Sequence, residues 1–581
     1  LPFPPPPIRQ RAGEATVPVA ERVAGRLLGA PALPAAALGA VARDIDWAGP
    51  VALPLPDERA VQAACGIMQV HGRAHGRPRP LAVDYAATVA GVLAAQGVCA
   101  ALLARRRGLA IDRVTTSVAE GALLSLTQYL AAATAPDEPA VEPAADLRGG
   151  ATLVSADGVP IEIETLDPVA WREFWRRLGV RPPLAGRGWA PFQQRFATAV
   201  CPLPAALREA AARRPLAALT EAATATGVSL AALTAEPRPG HPPAPVRITP
   251  APTPLPSKPV PPAAGPAPLA GLRVVEATRR VQGPLAGHVL RLLGAEVVRI
   301  EPPGGDPMRG LPPLVGECSA RFLALNEGKA VHEADLGTEA GRRAVREHAA
   351  GADVFLHNWA PGRAERLGLA AADLWPVAPH LVHAGASGFG DAFGAARPPI
   401  GTDYLAQVHS GLAAALRPAP EPPAPSLLTL TDVLGGLLCA YGVLAALLRR
   451  ADTGRGARVE SSLYSAAWLV ERPAARARWT PLDLPLTTAD GLLCLTGADA
   501  RRTAELARVT AASGTTPDAV AARFRALTTK EWLDRLGEAR IPATEVRTDL
   551  AALAHDPAFR AAVAPAPPDG CARPLTPWTF S

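Results

Sequence analysis

The nonapeptides GVCAALLAR (97–105) and GVLAALLRR (442–450) agree at seven of nine positions. A single offset of 345 carries the match outward, placing Gly66 on Gly411, Gly91 on Gly436, Arg113 on Arg458 and Ser117 on Ser462. Glycines kept in register over about fifty gap-free residues point to a duplicated unit rather than to two Ala/Leu-rich helices that look alike. After a short length difference the match resumes, with ADG at 156–158 answering ADG at 489–491. Residues 204–234 then resemble 518–548 in pattern. The chain must therefore fold as two related parts, and its 581 residues suffice for two to four domains.

A proline-rich run, PRPGHPPAPVRITPAPTPLPSKPVPPAAGPAP (237–268), separates them. Its missing backbone donors predict an extended spacer between residues 1–236 and 269–581. The second part begins with a pattern that the first lacks. LRVVEA (272–277) reads as a buried strand, GPLAGHVLRLLGA (283–295) as a helix and EVVRIE (296–301) as the next strand. DVFLHN (353–358) and LVHAGAS (381–387) predict further strands, with helices over 338–350 and 363–373. Strand–helix–strand units build a parallel sheet whose ligands bind at the carboxyl ends of the strands. TRRVQGP, EPPGGDPMRG and NWAPGRAER then share one rim.

Several classes are disfavoured. A net charge of +6 is modest for this length, and no aromatic-studded basic stripe suggests nucleic acid. The seven cysteines lie far apart without metal-ligand spacing, so no metal is expected and a reducing, cytoplasmic setting fits. LPFPPPPIRQRAGEA does not read as a signal peptide, and no uninterrupted apolar run is long enough to predict a membrane span. There is no G-x-G-x-x-G for a dinucleotide.

The stretch LAGLRVVEATRRVQGPLAGHVLRLLGAEVVRIEPPGGDPMRG (269–310) resembles the opening of the family III CoA-transferases, which include formyl-CoA and L-carnitine CoA-transferases and α-methylacyl-CoA racemase. The resemblance continues through LNEGKAV (325–331), HNWAPGRAERLGL (357–369), GTDYLAQVHSGL (401–412) and TDVLGGLLCAYGVLAALLRRADTGRGARVESSLYSAA (431–467). It implies an α/β fold with a Rossmann-like parallel-sheet, CoA-binding large domain (269–467) and a smaller α/β domain (485–550). A segment at 551–581 would return to the large domain. Residues 1–236 would be a degenerate partial repeat without the Rossmann part, packed as an intramolecular pseudo-dimer or within a homodimer.

The resemblance also implies a reaction. An aspartate preceding a long helix attacks an acyl-CoA thioester, giving a mixed anhydride and CoA thiolate. CoA then passes through that side chain to an acceptor carboxylic acid. The matching residue is Asp432, whose alternative and compatible role is to cap helix 433–449. A free aspartate is already ionised near neutral pH, and helix N–H groups would hold the anion. Asp403 stands where the family keeps an acid near the site, or caps an element. For CoA the resemblance suggests Arg280, Val281 and Gln282, then Asn358, Trp359 and Arg366. Trp359 either stacks on adenine or packs, and Arg366 either binds phosphate or is an exposed helix arginine.

Departures from the pattern include Gly337 and Pro302 where basic residues are usual, and Thr402 where the racemases place a histidine. At the offset of 345, Asp432 falls on Ala87, with Asp84 three residues away. The shortened stretch between Ala467 and Thr487 implies an acceptor pocket rebuilt in part by the N-terminal copy. A CoA-transferase fits these observations. So do a non-catalytic or repurposed acyl-CoA-binding protein and an acyl-CoA lyase or dehydratase.

Overall fold

The computed structural model describes residues 17–29, 39–136, 149–234, 242–252, 258–394, 398–568 and 570–581. The first half contributes helix α1 (Pro18–Leu28), strand β1 (Ala42–Asp46), helix α2 (Tyr85–Arg106) and strand β2 (Arg113–Ser117). The linker supplies β3 (Arg247–Pro250). The second half supplies β4 (Arg273–Ala277), α3 (Gln282–Leu292), β5 (Glu296–Glu301), β6 (Ala330–Glu333), α4 (Glu339–Ala350) and β7 (Val354–His357). It continues with β8 (Val382–Ser387), α5 (Asp403–His409), α6 (Leu430–Thr453) and β9 (Ala457–Ser462). The chain ends in β10 (Thr579–Phe580).

Seven strands form one sheet in the order β6-β5-β4-β7-β8-β9-β3. All neighbours are parallel except β3, which runs antiparallel along β9. The predicted strands fall within one residue of their expected bounds. The helix expected over 363–373 is instead two short pieces, Arg363–Leu367 and Ala371–Leu374. Gly368, at φ +63°, ends the first in a left-handed turn.

The linker is not a free spacer. Its prolines lack donors but keep their carbonyls, and the Arg107 guanidinium donates to those of Pro261, Pro262 and Pro268. Arg450 donates to the carbonyl of Lys258. The proline of β3 is tolerated because that strand lies at a sheet edge.

Helices α2 and α6 are buried almost throughout and pack on each other. Both are long and apolar enough to cross a membrane, but 100% and 94% of the relevant windows lie in the interior, as for core helices. Each carries a glycine at a close crossing. A Cβ at Gly436 would sit 2.5 Å from the Gln282 carbonyl oxygen on α3, and one at Gly91 would sit 2.6 Å from the Ala20 carbonyl oxygen on α1.

The first half therefore keeps more than the sequence suggested. α1 packs on α2 as α3 packs on α6, and Arg26-Leu27-Leu28-Gly29 echoes Arg291-Leu292-Leu293-Gly294. β1 pairs in parallel with β2 as β8 does with β9. Both pairs lead into a serine that caps the next helix, Ser117 or Ser462. Counterparts of β4 to β7, and hence of the ligand rim, are absent among its described residues.

Each half's tail crosses to the other. β3, which follows the first half, pairs with β9 of the second. β10, which ends the second, pairs antiparallel with β2 of the first. Val246 approaches Gly442 where Trp578 approaches Gly97, and the Trp578 indole donates to the Leu93 carbonyl at 2.8 Å. In the terminal segment β10 pairs with the first half, while Arg573 pairs with Glu327 and Cys571 bonds the Ala320 carbonyl of the second half. The small sheets cross over as well. Leu153–Val154, Pro160–Glu164 and Ser229–Ala232 form a sheet whose Ala231 packs with Leu405 and Val408. Leu486–Thr487, Leu492–Leu495 and Ala543–Glu545 form another, with Cys494 and Val546 packed on Ala63 and Met68.

Candidate active site

The first turn of α6 is capped from outside. Thr429, the residue before the helix, makes no side-chain cap. Asp403, at the start of α5, accepts through Oδ1 from the backbone N–H groups of Thr431 (2.6 Å) and Asp432 (2.8 Å) and from Thr431 Oγ1 (2.7 Å). Its Oδ2 accepts from Gln407 Nε2 at 2.5 Å, and Gln407 also clamps the backbone of Ser426. Burial raises the Asp403 carboxyl from 3.8 to about 6, against the opposing pull of these donors. The helix N-terminus therefore holds the Asp403 anion and not, as expected, that of Asp432.

Asp432 lies one step further along the turn and lines a cavity. Burial, followed by the neighbouring Asp403 charge, pushes it well above the usual aspartate range, while Arg280 pulls it down. The expectation that it ionises like a free aspartate is not met, because the site is desolvated and already holds a carboxylate.

The same scaffold recurs in the first half. Glu58 accepts from Ala86 and Ala87 N–H, both at 2.8 Å, and from Gln62 Nε2 at 2.8 Å. Gln62 Oε1 accepts from Leu81 N–H at 2.8 Å. With the offset of 345, Glu58, Gln62, Leu81, Ala86 and Ala87 overlay Asp403, Gln407, Ser426, Thr431 and Asp432. The carboxylate clamp is retained and the second carboxylate is an alanine.

The cavity beside Asp432 has a volume of about 60 Å³ and is built by both halves. The second half provides Arg280, Val281, Thr402 and Tyr404, and the first provides Glu164, Gln193, Arg195 and Phe196. Arg195 and Glu164 form a buried ion pair at 2.7 Å. Arg280 adopts φ +65°, a conformation uncommon for a side-chain-bearing residue. The N-terminal copy thus contributes to the cavity, through residues that no sequence motif marks. The only local sign was charge inside apolar patterns, Glu164 in PIEIE and Arg195 in FQQRF.

The other expected residues divide by role. Val281 is buried against this cavity. Gln282 is also buried, donates to the Ser387 carbonyl at 3.3 Å and packs under Gly435, so it supports the helix crossing. The Asn358 side chain bonds both backbone groups of Arg279, at 2.9 and 2.8 Å, and so fixes the loop that carries Arg280. Trp359 stacks on His357 with ring centroids 4.8 Å apart, and it lines a cavity of about 130 Å³ at the carboxyl ends of β4, β5 and β6.

Pro302 and Gly337, the two departures from the family pattern, line that second cavity with Arg279 and Arg363. Arg366 does not line it; Arg363, one turn earlier, does. Arg279, Arg363 and Arg366 lie close enough that the other two depress the Arg363 guanidinium, after burial. Nothing in the sequence singles out Arg279 from its neighbour Arg280, or Arg363 from Arg366, in a chain this rich in arginine. Beneath the rim, Arg299 pairs with Glu276 (2.5 Å) and Asp306 (2.5 Å). Lys329 bonds Glu276 (2.7 Å) and the Pro284 carbonyl (2.8 Å), tying the start of α3 to β4. No group of His, Cys, Asp and Glu residues is arranged to hold a metal among the described residues.

The model of CoA-transferase family III fits residues 53–235 and 269–481. The chain belongs to that family.

Over 200 residues it is 36% identical to the succinyl-CoA:glutarate CoA-transferase of Mus musculus, covering 34% of this chain and 46% of that protein. Over 199 residues it is 35% identical to the acetyl-CoA:oxalate CoA-transferase of Acetobacter aceti, covering 34% and 51%. A crystal structure of a CAIB/BAIF family protein from Brucella suis is 26% identical, with a TM-score of 0.47, covering 54% of this chain and 93% of that one. The matches span about half the length of these curated relatives.

Proposed function

We propose that the protein transfers CoA from an acyl-CoA to a carboxylic acid, with Asp432 as nucleophile. The observation that carries this reading is the placing of Asp432 in a cavity walled by both halves, with a second carboxylate, Asp403, occupying the helix donors. Asp403 is a positioning residue: it spends the N–H groups of the first turn, so that Asp432 is directed at substrate and does not cap its own helix. CoA is a substrate here. Arg279 and Arg363 suit its phosphates, since guanidinium binds phosphate through paired donors, and Trp359 offers an aromatic wall.

The reaction runs as four acyl transfers. Ionised Asp432 attacks the thioester carbonyl, the C–S bond breaks, and CoA thiolate leaves an acyl-aspartyl anhydride. The thiolate attacks the aspartyl carbonyl and releases the donor acid, leaving an aspartyl thioester. The acceptor carboxylate attacks that thioester, giving a second anhydride and thiolate. The thiolate finally takes the acceptor acyl group and frees Asp432. Arg280 lowers the cost of ionising Asp432 and faces the anions that come and go.

Ala87 leaves the first half without a nucleophile, which makes it a scaffolding partner of the second, joined to it by the crossed tails and small sheets. The test is to incubate the full chain with an acyl-CoA and a panel of acids and follow new CoA thioesters by mass spectrometry. Product forms with the native chain and falls to background in Asp432→Ala. Undiminished transfer by Asp432→Ala overturns the assignment. CoA-ester binding without transfer to any acid would instead favour the acyl-CoA-binding reading.

A further inference from the structure

Where the two copies meet at equivalent positions, they differ. Tyr85 and Leu430 are counterparts at the offset of 345, and the buried Tyr85 hydroxyl donates to the Leu430 carbonyl at 3.2 Å. Leucine has no hydroxyl to return the bond. Donation therefore runs one way, from the half that has lost its nucleophile to the half that carries Asp432.

The bond falls on the approach to the nucleophile. The Leu430 carbonyl and the Thr431 N–H belong to one peptide group, which is planar and turns as a unit. Asp403 Oδ1 holds its N–H edge at 2.6 Å and Tyr85 holds its carbonyl edge, so each half grips one side of the peptide that leads into Thr431 and Asp432. Tyr85 is itself aimed by the first half's carboxylate clamp, since Glu58 fixes the N–H groups of Ala86 and Ala87, the next two residues.

The loop before α6 is held from both halves as well. Gln407 bonds the N–H and the carbonyl of Ser426, at 2.8 and 3.0 Å, and His71 of the first half bonds the Ser426 hydroxyl through Nδ1 at 2.8 Å. Both His71 and Ser426 are buried. Between these grips, Tyr129 Oη donates to the carbonyl of Phe196, on the cavity wall, at 2.7 Å and lies 3.5 Å from that of Leu427.

We infer that Tyr85 and His71 are positioning residues for acyl transfer at Asp432: hydrogen-bonded to the two ends of segment 426–430, they set where the first turn of α6 presents the nucleophile. This rests on the CoA-transfer reading and gives the first half a part in the reaction without a group that touches substrate.

The experiment follows single-turnover acylation of Asp432 by intact mass and, separately, CoA binding by titration calorimetry, all on the full chain. Acetyl-CoA, propionyl-CoA and succinyl-CoA are screened and the fastest donor is kept. Tyr85→Phe keeps the ring and loses only the hydroxyl, while Ser426→Ala and His71→Leu each remove the other bond. Each should slow acylation ~10-fold or more with CoA affinity within about 2-fold of native, since misplacing a reacting group by about 1 Å costs about 100-fold in rate and leaves the CoA rim in place. His71→Asn, whose side-chain amide can stand in for Nδ1, should recover most of the rate. If one variant fails to fold, the other two read the same segment. A native rate in any folded one of the three, or CoA affinity falling in step with the rate, overturns the inference while leaving CoA transfer intact. No acylation of Asp432 in the native chain by any donor overturns the CoA-transfer reading and this inference with it.

Discussion

At the residue scale the account turns on three charges around one turn of helix. Asp432 is raised by burial and by Asp403 and lowered by Arg280. Only the ionised form attacks, so acylation should rise with pH through a value above the ordinary aspartate range. Removing either neighbour moves this limb in opposite directions. Arg280→Met shifts it to higher pH. Asp403→Asn, which can still accept from the helix N–H groups through its amide oxygen, shifts it lower. Single-turnover acylation followed by intact mass across pH checks both, because the midpoint is read independently of amplitude. A limb that moves the same way in both variants would sink the electrostatic account. The first half offers a structural counterpart: Glu58→Ala strips the acceptor from two buried N–H groups, at about 1–3 kcal/mol for each group left unpaired. A drop in apparent Tm of several degrees is the expected outcome by calorimetry.

At the element scale the two apolar helices organise everything else. Gly436 lets α6 approach the first turn of α3, the turn that follows Arg280 and Val281. Gly436→Ala places a Cβ 2.5 Å from the Gln282 carbonyl and so must push the two helices apart, at a cost of about 1–3 kcal/mol. Lower thermal stability should come with a disproportionate loss of transfer, because the displaced turn carries the site. Loss of stability with full activity would show that the crossing does not position the loop.

Much at this scale was legible in the sequence. Four of the strands between 272 and 387 show as short apolar runs, whereas the mostly exposed AVHE of β6 does not. Asp403 and the N–H groups of Thr431 and Asp432, each in its own sequence motif, are brought together by the fold. Other features were not legible, for physical reasons. α1 shares only a four-residue echo with α3 and sits at a different distance from its partner helix. The cap on α6 comes from Asp403, 29 positions away, which no local rule can see. The arginine and glutamate that wall the cavity reach it only by tertiary packing across halves.

At the scale of the whole molecule the halves are interlocked. Both tails and both small sheets cross over, so the linker is not what holds the halves together. A protease site placed at 253–257 and cleaved should leave two fragments that co-elute on size exclusion and keep their activity. Separation on cleavage, without denaturant, would contradict the interlock. Trp578→Ala removes an indole that fills the space over Gly97 and bonds the Leu93 carbonyl, and should weaken that association.

The proposed mechanism gives the chain one nucleophile, since Asp432 has its counterpart in Ala87. The most direct measurement is therefore to treat the acylated full chain with hydroxylamine and map the modified residue by peptide mass. The account predicts one hydroxamate per chain, at Asp432, absent in Asp432→Asn. No label at Asp432 with any acyl-CoA that binds, or a second label in the first half, would contradict it.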